Sequence, residues 1–345
     1  MYFNSEELKK FRSLNGPLID VRSPSEYYKG NMPNSINIPL FDNYEREIVG
    51  TIYKKSGREK ALKIGLKFID KKIENLLHRL FETINSHEKK SNLISEKSIK
   101  IYCARGGMRS QSISWLLEKY KVNTVTLNGG YKIYRKWILE TFTKKWNIIV
   151  IGGKTGTGKT KLLSLLEKYN YQTIDLEGFA SHRGSTFGGL GMKEQPSNEG
   201  FENIIAEKLN TFKNEKHIFV EAESANIGSC RIPYEFFNQM KNSSRIEIIR
   251  SESNRLDELI NTYSIFNKEA LKESVMRIKK RLGPQRTKIA IDSINNEKWD
   301  LVCKAVLEYY DKCYEYETKG KENIKSLNLT DLEYDKNIIE LINNL

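Results

Sequence analysis

The sequence predicts an α/β protein, and three observations carry that expectation. Apolar runs of strand length alternate with amphipathic helical stretches along most of the chain, the pattern of sheets covered by helices. Two glycine-rich loops, Cys103 to Ser110 and Gly153 to Thr160, each stand between a strand signal and a helix signal. The length of 345 residues exceeds the roughly 100–200 of a typical domain. Two domains are therefore expected, over residues 1–143 and 144–345, with little linker between them.

In chain order, residues 17–21 read as a short buried strand, and Ser23-Pro24-Ser25-Glu26 opens a helical turn. Residues 35–39 form a second strand. The Lys-rich stretch 57–84 carries Leu62, Leu66, Ile69, Ile73, Leu76 and Leu80 at helical spacing, so it reads as one amphipathic helix. The polar stretch 89–98 reads as loop. A strand at 99–102, a helix at 110–120, a strand at 124–127 and a helix at 131–142 complete a small open sheet. A new βα unit then starts, with a strand at 147–151 and a helix at 159–169. Further strands are expected at 171–174, 217–220 and 245–249. Residues 251–316 read as mostly helix, interrupted at Leu282-Gly283-Pro284.

Composition narrows the function classes. The chain carries 39% hydrophobic and 29% charged residues, which excludes a disordered or collagen-like protein. No apolar run approaches the roughly 18 residues of a membrane span. The first residues mix charges early, unlike a signal peptide, and a cytoplasmic protein is expected. Four cysteines without a CxxC pair, beside four histidines, make neither a disulfide scaffold nor a structural zinc site. The net charge of +13 is uneven: residues 1–143 hold 26 Lys/Arg against 15 Asp/Glu. A second basic string includes Lys279, Lys280, Arg281 and Arg286. Such fields attract nucleic acid, although a solvated helix face has the same composition.

Chemistry concentrates in the two loops. Gly153-Lys-Thr-Gly156-Thr-Gly158-Lys159-Thr160 is a complete phosphate-binding loop, placed after a strand and opening a helix. Its amides and the helix N-terminus suit a di- or triphosphate, Lys159 adds a charge, and Thr160 is a candidate Mg²⁺ ligand. Glu221 and Glu223 follow a later strand, where they serve either Mg²⁺ and substrate or a strand-end salt bridge. The string Cys103-Ala-Arg105-Gly-Gly-Met-Arg109-Ser110 places a cysteine among loop amides, at a helix N-terminus, beside two arginines. That setting favours the thiolate and marks Cys103 as a nucleophile. The loop has the spacing of cysteine phosphatases and is one residue longer than that of common sulfurtransferases. It suits a phosphate or a larger chalcogen such as selenium, and the spacing alone leaves both open.

With these strings in hand, the chain resembles the bacterial tRNA 2-selenouridine synthase family, which joins a rhodanese domain to a P-loop domain. The resemblance runs through Asp20-Val-Arg22-Ser-Pro-Ser-Glu26, Cys103 to Ser110, Asn128-Gly-Gly-Tyr131, the phosphate loop, His182-Arg183-Gly-Ser185-Thr-Phe-Gly188, Glu221-Ala-Glu223, Arg281-Leu-Gly-Pro-Gln285 and Tyr309-Tyr-Asp311. It covers nearly the whole chain in order. The chain departs from the family's pattern at Ala222, Ala225 and Asn226.

The resemblance implies a rhodanese-like open parallel sheet, then a P-loop NTPase-like α/β domain with a helical C-terminal part. It implies a transferase that replaces the sulfur of 2-thiouridine, at the wobble position of tRNA, with selenium from selenophosphate. Geranyl diphosphate would first alkylate the sulfur. Cys103 would carry selenium as a selanyl adduct, with Arg105 and Arg109 holding selenophosphate or tRNA phosphate. The phosphate loop would hold the diphosphate. Arg183 and Ser185 would support base or diphosphate, or merely shape a turn, and Lys279, Lys280, Arg281 and Arg286 would meet tRNA. No tightly bound cofactor is implied; Mg²⁺ is optional, and a selenophosphate-supplying enzyme is an optional partner. The rival expectation is a cysteine-dependent phosphatase or sulfurtransferase fused to a P-loop kinase.

Overall fold

The computed structural model describes residues 5–90, 98–320, 324–330 and 336–343. The chain divides into two units, Met1–Thr141 and Phe142–Leu345. In the first unit the order is α1 (Ser5–Ser13), β1 (Leu18–Asp20), α2 (Pro24–Lys29), β2 (Ile36–Asn37), α3 (Asn43–Asp70), α4 (Ile73–Lys90), β3 (Ile99–Tyr102), α5 (Met108–Lys119), β4 (Thr124–Thr126) and α6 (Gly130–Thr143). The strands form one parallel sheet in the order β2-β1-β3-β4. Ile19 lies opposite both Ile36 and Ile101, and Ile19 and Ile101 are wholly buried. They join Val21, Ile38, Leu80 and Leu117 in one core. Each such side chain contributes about 1.5–3 kcal/mol by leaving water.

The single helix expected over 57–84 is instead two. The first starts at Asn43, because Asp42 accepts the Glu45 N–H and Glu45 returns a bond to the Asp42 N–H. It breaks at Gly57, whose φ of 83° is not helical, and a second break separates Asp70 from Ile73. The sequence expectation missed the early half because residues 43–56 carry few apolar side chains. It also missed α1. Of the loop expected over 89–98, residues 91–97 lie outside the described residues, and α4 continues to Lys90.

The second unit runs β5 (Ile148–Gly153), α7 (Lys159–Lys168), β6 (Gln172–Ile174), α8 (Leu176–Ala180), α9 (Asn198–Leu209), β7 (Ile218–Glu221), β8 (Asn226–Ile227), β9 (Cys230–Arg231), α10 (Tyr234–Lys241), β10 (Ser244–Ile249), α11 (Glu252–Tyr263), α12 (Lys268–Arg277), α13 (Lys279–Leu282), α14 (Pro284–Asn295), α15 (Trp299–Thr318), β11 (Ile324–Asn328) and α16 (Lys336–Asn343). Five strands form a parallel sheet in the order β11-β10-β5-β7-β6. The strand that feeds the phosphate loop is thus central, flanked by β10 and β7. In open sheets of this kind, ligands bind outside the C-terminal strand ends, beside the point where the strand order turns.

The stretch expected as mostly helix is five helices. Gly283 ends α13 and Pro284 starts α14, as the sequence pattern suggests. Two of these helices start at polar caps: Ser251 accepts the Asn254 N–H at the start of α11, and Asn267 accepts the Glu269 N–H at the start of α12. Leu271, Val275, Ile294, Val302 and Val306 form a separate helical core there. No helix among the described residues is long and apolar enough to cross a membrane.

Candidate functional site

In the first unit, β3 ends in the loop that carries Cys103. The loop is pinned from below: the Tyr131 N–H donates to Cys103 O at 2.8 Å, and the Lys132 N–H donates to Ala104 O at 3.0 Å. This explains the glycines of Asn128-Gly-Gly-Tyr131. Gly106 is equally constrained, since a Cβ there would lie 2.3 Å from Leu127 O. Cys103 is 3% exposed, and the Ser110 hydroxyl donates to its Sγ at 3.3 Å. Burial pushes the thiol up, but hydrogen bonds from Ser110 and from the Arg105 and Ser110 amides, with the Arg109 charge, outweigh it and lower the pKa. The result is a thiolate-prone cysteine in a small shielded loop.

The two arginines of this loop diverge. Arg105 is exposed beside the cysteine. Arg109 is engaged by Glu26, with Nη1 2.6 Å from Oε2 and Nη2 3.2 Å from Oε1. Burial pushes Glu26 up, yet the Arg109 bonds and charge win and hold it at about 2. Arg109 is thus paired with Glu26 in this structure, and its charge also helps to lower the Cys103 pKa. Asp20 and Arg22 form a buried pair, Nη2 to Oδ2 2.6 Å, and Arg22 also donates to Gly30 O. That pair braces the sheet end.

In the second unit, β5 runs into the phosphate loop, whose Gly156 and Gly158 both have φ of 82°. Lys159 Nζ donates to Gly153 O at 3.0 Å, which holds the ammonium over the loop. Four residues from distant parts of the chain secure it. Arg255 of α11 donates to Thr155 O at 2.8 Å and pairs with both oxygens of Asp311 on α15. Tyr314 OH accepts the Gly153 N–H at 2.6 Å, and Lys154 pairs with Glu315 at 2.7 Å. The sequence gives no sign of Arg255 or Tyr314, because nothing local to the loop names them.

Beside the loop lies a carboxylate group. Thr160 Oγ1 is 3.4 Å from both Glu177 Oε2 and Glu221 Oε2, and Glu221 Oε1 accepts the Glu177 N–H at 2.8 Å. Glu221 is wholly buried, and burial raises its pKa well, reinforced by the charge of Glu177. Burial also raises Glu177, against the opposing pull of Lys159. Glu223 completes the group through a hydrogen bond with Glu177. Gly184, with φ of 66°, presses onto both: a Cβ there would lie 2.7 Å from Glu223 Oε2 and 2.9 Å from Glu177 Oε1. The loop of Arg183 and Ser185 is thereby placed over the carboxylates. Arg183 Nη1 itself donates to Leu190 O at 2.8 Å. Thr160, Glu177 and Glu221 offer hard oxygen donors of the kind Mg²⁺ takes. Among the described residues, no three His, Cys, Asp or Glu side chains are arranged to hold a metal ion.

Thr160, Glu177, Glu223, Arg183 and Ser185 line a polar cleft of about 670 Å³ that also takes in Arg281 and Tyr309. Arg281 is hydrogen-bonded to Tyr309. The basic string is therefore not one continuous stripe. Arg281 faces the cleft, Arg286 pairs with Glu308 at 2.9 Å, and Lys279 and Lys280 are exposed. A second, almost wholly apolar pocket adjoins the cleft and shares Thr155, Ser185, Leu259, Tyr263 and Tyr310 with it. Its further walls include Phe187, Leu271, Trp299, Val302 and Cys303. A diphosphate in the loop would thus have an apolar space within reach.

Comparison with known proteins places both units. Residues 146–333 match the family described as the tRNA 2-selenouridine synthase AAA domain, and residues 4–137 match the Rhodanese-like domain. The chain is 32% identical over 341 residues to the tRNA 2-selenouridine synthase of Shewanella denitrificans, covering 89% of each chain. It is 32% identical over 346 residues to that of a Sulfurovum species, covering 89% of this chain and 91% of the relative. To the Nitrosomonas europaea synthase it is 34% identical over 256 residues, covering 72% of this chain and 63% of the relative.

Proposed function

This chain belongs to the tRNA 2-selenouridine synthase family, and from that membership we propose that its two sites run two successive steps on one thiolated wobble uridine. It is a transferase that modifies tRNA. In the first step, the thiocarbonyl sulfur attacks C1 of geranyl diphosphate. The S–C bond forms, the C–O bond breaks, pyrophosphate leaves, and the base loses its N3 proton. The phosphate loop amides and Lys159 take up the charge that grows on pyrophosphate. In the second step, selenium from selenophosphate replaces the geranylthio group, which leaves as a thiol. Water supplies the oxygen that completes phosphate. Alkylation makes this exchange feasible, because a thioether on an electron-poor carbon leaves far more readily than a thiocarbonyl sulfur. The Cys103 loop carries the selenium as selenophosphate, at the selenide level throughout, so the exchange needs no oxidant.

The observation that carries this reading is the apolar pocket beside the phosphate loop. A nucleoside needs polar partners for its base and ribose, whereas a prenyl chain needs only apolar walls. Lys159 lies within the loop, ready to exchange Gly153 O for a diphosphate oxygen. Arg281 and Tyr309 at the cleft supply a charge and an aromatic face for an unstacked base.

The test separates the half-reactions. Purified protein, geranyl diphosphate and thiolated tRNA, without any nucleotide, should yield S-geranyl-2-thiouridine by nucleoside mass spectrometry. Lys159→Ala should lower geranyl transfer by orders of magnitude and largely spare selenium exchange on tRNA that already carries the geranyl group. An absolute need for ATP, or equal collapse of both steps in folded Lys159→Ala, would defeat the assignment.

A further inference from the structure

Resting on the prenyl-donor reading above, the size of the apolar pocket says how long that donor is. The volume open to the centres of water molecules is about 40 Å³. One water needs about 10–15 Å³ on this measure, so the pocket has room for roughly three, which is about the bulk of one isoprene unit. Its mouth is the set of residues shared with the cleft, among them Leu259, Tyr263 and Tyr310. Away from that mouth, its walls include the buried Leu271, Val302 and Cys303 and the half-buried Trp299. Leu271 and Val302 belong to a packed helical core, Trp299 packs against it, and such cores yield little to an inserted group. Trp299, Cys303, Val306 and Tyr310 recur at helical spacing, so one face of α15 runs along the pocket to the cleft.

We propose that this pocket is a chain-length gauge. With the diphosphate on the loop, the first isoprene unit lies along the cleft wall at Leu259 and Tyr263. The terminal unit fills the pocket, and Trp299 with Cys303 stops the chain there. A donor of two units is complete on arrival, one of a single unit leaves the pocket unfilled, and one of three units has nowhere to put the last. Chain length is thus set by α15, far in sequence from the loop that binds the charged end.

The experiment is a competition between geranyl and farnesyl diphosphate on the full chain, read as the ratio of the two S-prenyl nucleosides. Ratios are insensitive to a general loss of activity. In the wild type the geranyl product should dominate. Trp299→Ala should raise the farnesyl-to-geranyl ratio at least tenfold, and the milder Trp299→Leu should raise it less. Cys303→Phe fills the pocket, so the dimethylallyl-to-geranyl ratio should rise at least tenfold in a parallel competition. Wild-type ratios in all three folded variants, with geranyl transfer intact, would overturn the gauge while leaving the prenyl-transfer reading standing. If the wild type transfers no prenyl group from any donor, that reading falls and the gauge with it.

Discussion

Burial ordinarily raises a thiol's pKa, and that of Cys103 is lowered instead because the Ser110 hydroxyl and two loop amides face its sulfur. Ser110→Ala removes the side-chain donor while leaving the amides. The midpoint of Cys103 alkylation by iodoacetamide, followed against pH, should therefore move upward. Cys103→Ala should abolish selenium incorporation and spare geranyl transfer, which needs no chalcogen carrier; normal 2-selenouridine in that variant would end the carrier role. Glu26 makes a prediction about acid stability. Its folded pKa, about 2, lies below the ordinary glutamate value of 4.5. It therefore contributes stability that is complete above the unfolded pKa and is lost as pH falls from there through about 2. The pair is partly open to solvent, so the contribution should be no more than about 1–2 kcal/mol. Urea unfolding should show this acid-side loss in the wild type and a flatter profile in Glu26→Gln.

Elements differ in how much of themselves they disclose locally. Strands such as β3 (Ile-Lys-Ile-Tyr) and β7 (Ile-Phe-Val-Glu) declare themselves by short, mostly apolar runs, and the helix after each glycine loop is fixed by the loop itself. Helix α3 does not, since its start depends on the Asp42–Glu45 capping box and its break on Gly57. The short strand β11 is mostly exposed and, among the described residues, pairs with β10 alone, so no internal pattern marks it. Element α15 matters most to the phosphate loop, because Asp311 neutralises the nearly buried Arg255 that holds Thr155 O. Asp311→Ala leaves that guanidinium unpaired, a change that costs about 3 kcal/mol or more. Thermal unfolding should show the loss. Geranyl transfer should fall with it, by more than selenium exchange. A variant of wild-type stability would mean the pair is dispensable.

Across the whole chain, the two loops are local strings, which is why both candidate sites are legible in the sequence. Their supports are not: Arg255 and Asp311 are remote from the phosphate loop, and two strands and two helices separate Glu26 from Cys103. Only folding brings them in. The charge pattern is legible in sign but not in placement, because Arg286 is already paired and Arg281 faces the cleft. Reversing Lys279 and Lys280 to Glu should weaken tRNA binding and reduce its salt slope by about one unit per lost phosphate contact. Unchanged affinity across a salt series would move the tRNA surface to the more positive first unit. The Tyr314 and Asp311 contacts carry a last consequence, for shortened copies of this gene product. A copy ending anywhere between Thr160 and Asp311 would retain every letter of the phosphate motif, and a motif search would count it as intact. It would nonetheless lack both the tyrosine that meets Gly153 and the carboxylate that balances Arg255. Such a copy should fail to hold diphosphate, so for this fold the motif's competence is decided by how the chain ends.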